Sequence, residues 1–117
     1  MACSKHLREE NKLVNFDRLL MEFQTLVKID SPSGEERKVA DYLIDRLTGL
    51  GLQVVEDNAA QTLGTETGNL IARLPGKVDL RALFFSAHMD TVPGRGIMPV
   101  VRDGAVYSAG DTILGAD

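Results

Sequence analysis

Leu80-Arg81-Ala82-Leu83-Phe84-Phe85-Ser86-Ala87-His88-Met89-Asp90 is the stretch on which the fold reading turns. Residues 80–87 are almost continuously apolar, the pattern of a strand buried on both faces within an α/β sheet. At its carboxyl end stand an imidazole and a carboxylate two residues apart. Strand side chains repeat every second residue, so His88 and Asp90 should leave on one face. The carboxylate can then hold the ring, fix its tautomer and direct the other nitrogen to a metal. Open α/β sheets place their sites at such strand ends. The structural alternatives are a histidine satisfied by a backbone carbonyl and an aspartate capping the turn at Pro93-Gly94.

Upstream, the spacing of Phe16, Leu19, Leu20, Phe23, Leu26 and Val27 predicts an amphipathic helix with Asn15 as N-cap. Ser31-Pro32 should end it. A second helix follows, with Ser33 and Glu36 at capping-box spacing, Glu35 and Glu36 in its first turn, and a stripe of Val39, Ala40, Leu43, Ile44 and Leu47. Gly49 and Gly51 close it. Strands are predicted over 52–56 and 69–74, with a loop over the polar, Thr-rich residues 57–67. Downstream, Gly94-Arg95-Gly96 reads as a flexible link and residues 100–107 as a hairpin around Asp103-Gly104. The fold class is therefore α/β: the amino-terminal part of a mixed sheet with flanking helices. Residues 1–14 form a loose lead-in, and 15–117 the N-terminal part of one domain.

Composition narrows the function. In 117 residues, 44% are hydrophobic and 26% charged, so the chain should fold rather than remain disordered. A net charge of −4 and 5% aromatic residues, without Trp, argue against nucleic acid as a partner. No run approaches the roughly 18 apolar residues of a membrane span, so no membrane partner is expected. The single cysteine, Cys3, fits a reducing compartment, and the expected address is cytoplasmic. Cys3 and His6 are read as a terminus without chemistry.

Candidate ligands are His88, Asp90 and Asp117, the last at the end of the glycine-punctuated loop Gly110-Asp111-Thr112-Ile113-Leu114-Gly115-Ala116-Asp117. Zinc takes neutral imidazole and carboxylate, and a dinuclear site needs a carboxylate to bridge its ions. Asp111 is better explained by a Gly-Asp-Thr turn.

Ser86-Ala87-His88-Met89-Asp90-Thr91-Val92-Pro93, followed by that loop, resembles the dinuclear zinc exopeptidase family, most closely its peptidase T-like branch of tripeptide aminopeptidases. Leu26-Val27-Lys28-Ile29-Asp30-Ser31-Pro32-Ser33-Gly34-Glu35-Glu36 is similar to the start of these enzymes, so the likeness runs from about residue 16 to the last residue. The resemblance implies that His88 is a ligand to one zinc, Asp90 the acid that orients a metal-binding group, and Asp117 the carboxylate bridging two zinc ions. Cobalt or manganese would suit the same ligands. It implies a hydrolase acting on an amide bond of a small peptide substrate, with water activated between the two ions. The family's later glutamate pair, which supplies the base and a further ligand, does not occur here. The chain alone is therefore expected to be inactive. An uncovered sheet implies a homo-oligomer or a missing C-terminal portion. Two other readings stay open: a non-catalytic interaction or regulatory module, and an N-acyl amino acid or peptide deacylase of the same family.

Overall fold

A computed structural model of the chain describes residues 13–109 and 113–115. The expectations for Cys3, His6, Asp111 and Asp117 lie outside the described residues, as does most of the lead-in. The first helix, α1 (Phe16–Val27), opens on Asn15, whose side-chain oxygen accepts the Arg18 N–H at 2.9 Å. Val27 is buried at its far end, whereas Leu19, expected on the packed stripe, is mostly exposed.

The second helix starts later than the capping-box spacing suggests. It is α2 (Arg37–Gly49), and Glu36 rather than Ser33 stands at its N-cap, without a side-chain cap bond. Gly34 lies at φ +90°, a conformation that interrupts any helix begun at Ser33. Glu36 instead turns back to accept the Gly34 N–H at 2.6 Å. Both glutamates thus precede the helix. At the other end Gly51, at φ +86°, takes the chain out of the helix as expected. Glu22 of α1 accepts from Tyr42 Oη at 2.6 Å and from Arg46 Nε and Nη2 at 3.0 and 2.7 Å, joining the two helices.

Strands β1 (Gln53–Glu56) and β2 (Leu70–Arg73) pair antiparallel, Val54 opposite Ala72, and α2 packs on both. The predicted loop between them contains a short helix, α3 (Ala59–Leu63). Asp57 Oδ1 accepts the Ala59 N–H at 3.0 Å, which starts the turn, and Gly64 at φ +70° ends it. The polar composition masked two good helix formers, Ala59 and Ala60. The hairpin of β3 (Pro99–Arg102) and β4 (Ala105–Ser108) turns on Asp103 and Gly104, at φ 53° and 77°. Two left-handed central residues match the twist of the strands they join.

The third expected strand is a correction. Residues 80–87 carry no regular secondary structure, and Leu83, Phe84 and Phe85 are exposed, Phe84 by 89%. A strand is defined by its neighbour's hydrogen bonds, and among the described residues nothing pairs with this one. Its end is nonetheless anchored, by a single parallel bridge between Pro32 and Thr91. The flexible link at 94–96 is also corrected. Arg95 pairs with Glu35 at 2.6 Å, and the Gly96 N–H donates to Asp30 Oδ1 at 2.8 Å. Among the described residues the buried apolar side chains are Val27, Val39, Ala40 and Ile97. The class is α/β, as expected, built from two small antiparallel sheets with flanking helices.

Candidate functional site

His88 and Asp90 meet as their spacing implies, although no strand carries them. The Nδ1 atom of His88 lies 2.9 Å from Asp90 Oδ1 and 2.7 Å from the Asp90 carbonyl oxygen. Two oxygen acceptors facing one nitrogen place a proton on Nδ1, which leaves Nε2 as the nitrogen a metal would take. The second carboxylate oxygen, Oδ2, accepts from the Ser33 hydroxyl. That hydroxyl is the main reason the Asp90 carboxyl sits below its ordinary range; partial desolvation opposes it and His88 reinforces it. Asp90 is therefore ionised at neutral pH. It caps neither Thr91 nor the turn after it.

The pair lines an open cavity of about 560 Å³, together with residues of α2, β2 and 84–89. Leu43, Leu47, Ile71 and Phe84 form apolar wall, while Glu36, His88 and Asp90 are polar. Such a hollow can seat a small apolar or peptidic group beside the imidazole.

A neutral imidazole backed by a carboxylate is the donor chemistry of a zinc ligand and the acid that orients it. That much of a metal centre fits. Among the described residues there is no group of three His, Cys, Asp or Glu able to hold an ion. The described residues thus offer one ligand of such a centre. Asp117, the expected bridge, lies outside them.

Sequence reading missed Ser31, Ser33 and Thr91, which hold the pair in place. The capping-box spacing points Ser33 to a helix cap, and the signal against that is Gly34 directly after it.

No protein-family model matches the chain. It is 44% identical over 106 residues to the uncharacterized protein YqjE of Bacillus subtilis, a match spanning 90% of this chain and 29% of that one. Among solved structures, aminopeptidase PepT from Bacillus cereus superposes with a TM-score of 0.83 at 42% identity, over 87% of this chain and 28% of that one. A tripeptidase from Staphylococcus aureus gives a TM-score of 0.82 at 38% identity, over 88% and 28%. The chain spans less than a third of the length of each of these proteins. It has the fold of part of an exopeptidase. More narrowly, by sequence and by backbone it is related to the peptidase T-like branch, as the motifs around His88 and Asp117 implied.

Proposed function

We propose that the chain is part of a metal-dependent exopeptidase that cleaves an amide bond of small peptides, tripeptides foremost. The observation that carries this reading is the His88–Asp90 pair, joined through Nδ1 and lining a cavity in a backbone that superposes on an aminopeptidase and a tripeptidase. His88 would hold one metal ion through Nε2, and Asp117 would bridge it to a second. Zinc is the expected ion, with cobalt or manganese able to replace it. When bound, the ions supply Lewis acidity toward a carbonyl and lower the pKa of water. Asp90 keeps a proton on Nδ1 and so fixes which nitrogen of His88 faces the site. The apolar wall of the cavity limits water and receives substrate side chains.

The 117-residue chain alone is expected to be inactive, because the described residues provide one metal ligand and its orienting acid. The test uses the full-length protein. Tripeptide hydrolysis should vanish with a strong chelator and return with zinc, and His88→Ala should lower the metal content and activity together. Activity indifferent to chelators, or a His88→Ala protein with full metal content, contradicts the proposal.

A further inference from the structure

The turn Ser31-Pro32-Ser33 grips the His88–Asp90 pair from a distant part of the chain. Ser33 Oγ donates to Asp90 Oδ2, while Oδ1 of the same carboxylate faces His88. Ser31 is buried, 1% exposed, and its hydroxyl donates to the Met89 carbonyl at 2.9 Å. The Ser31 carbonyl accepts the Thr91 N–H at 2.8 Å and the Thr91 hydroxyl at 3.3 Å. The backbone is therefore pinned on both sides of Asp90, and the side chain between the pins is held by a hydroxyl. These partners stand 57 to 60 residues apart, so local chain geometry does not bring them together.

An aspartate carboxylate turns about a broad, soft torsion. One partner on one oxygen leaves that turn open; partners on both oxygens fix the plane of the group. A hydroxyl donating to an ionised carboxylate is a charge-assisted bond, strong enough to set that plane at a partly exposed site. The plane of the carboxylate then sets the plane of the imidazole.

We propose that Ser33 is a positioning residue, which locks the Asp90 carboxylate so that His88 presents Nε2 to its ligand in one orientation, with Ser31 fixing the backbone beneath. The inference rests on the reading of His88 as a metal ligand. It assigns Ser33 a task that helix capping would not require.

Full-length wild-type, Ser33→Ala, Ser33→Thr and His88→Ala proteins are compared by zinc competition against a chromophoric chelator. The metal-free proteins are compared by nitrogen NMR of the histidine rings. Ser33→Ala should weaken zinc binding about tenfold or more, the usual loss when an outer partner of a ligand is removed. The thermal midpoint of its metal-free form should stay near wild type. Its His88 ring should move from the single Nδ1–H tautomer toward a mixture, and Ser33→Thr, which keeps the hydroxyl, should restore both readings. Should Ser33→Ala fail to fold, Ser33→Gly, which also removes the hydroxyl, carries the same expectation. If His88→Ala abolishes tight binding while the Ser33 variants bind zinc like wild type with an unchanged tautomer, the role of Ser33 is overturned and the metal reading survives. If His88→Ala also binds like wild type, both fall.

Discussion

At Gly68 the structure leaves no room for a side chain. A Cβ there would stand 2.2 Å from the Asp57 carbonyl oxygen and 2.4 Å from Asp57 Oδ1, while the Gly68 N–H donates to Glu56 Oε1 at 3.0 Å. The nearest obstacle is backbone, which cannot swing aside as a side-chain tip would. Gly68→Ala is expected to destabilise the protein by about 1–3 kcal/mol, the range for forced overpacking. Chemical denaturation of the full-length protein measures it, and an unchanged midpoint would contradict this packing. The residue scale is also where sequence reading was sharpest and most incomplete. His88 and Asp90 were legible because a two-residue spacing survives even where the strand does not form. Ser33 was not, since its partner is far along the chain and its neighbour Glu36 supplied a convincing local explanation.

Among the elements, α1, α2 and the β1–β2 pair are stitched by carboxylates. Arg37 reaches Glu56 at 3.0 Å and Asp41 at 2.8 Å, and Glu22 binds Tyr42 and Arg46. The Gly68 N–H first, and Arg37 next, hold the Glu56 carboxyl below its usual range. Arg46 and then Tyr42 do the same for Glu22, and the Asn69 side chain, with N–H groups of Ala59 and Asn69, for Asp57. A depressed carboxyl pKa adds stability above the unfolded value, near 4, that is lost as pH falls through the folded value. The thermal midpoint should therefore be level near neutrality and drop below about pH 4. Glu56→Gln should lower the plateau and make the acid limb shallower. These groups are partly exposed, so added salt should shrink the effect. An identical pH profile in wild type and Glu56→Gln would remove Glu56 from the account. Helices and hairpin were legible at this scale because their signals are local: Asn15 before an apolar stripe, Gly51 after one, Asp103-Gly104 between strands. The start of α2 was not, because a glycine at positive φ outweighed the capping pattern.

Taken whole, the molecule presents far more surface than its size requires. Its accessible area is 9726 Å², against about 6,200 Å² for a compact chain of this length. Its radius of gyration is 16.7 Å, against about 13 Å. Leu80, Leu83, Phe84 and Phe85 are among the most exposed of its large apolar side chains. The apolar composition of residues 80–87 was legible in the sequence, and what would cover them was not. A preparation of the 117-residue chain alone should bind a hydrophobic dye and sediment as more than a monomer. The full-length protein should bind little dye. A monomeric chain without dye binding would mean that residues 80–87 find cover within it.

The central claim is that His88 and Asp117 converge on a pair of metal ions. Anomalous diffraction at the zinc edge, from crystals of the full-length protein grown with zinc, tests it directly. The account predicts two neighbouring metal peaks, one within bonding distance of His88 Nε2 and both within reach of the Asp117 carboxylate. Metal bound away from those two groups, or His88 and Asp117 ordered far apart with no metal between them, would contradict it.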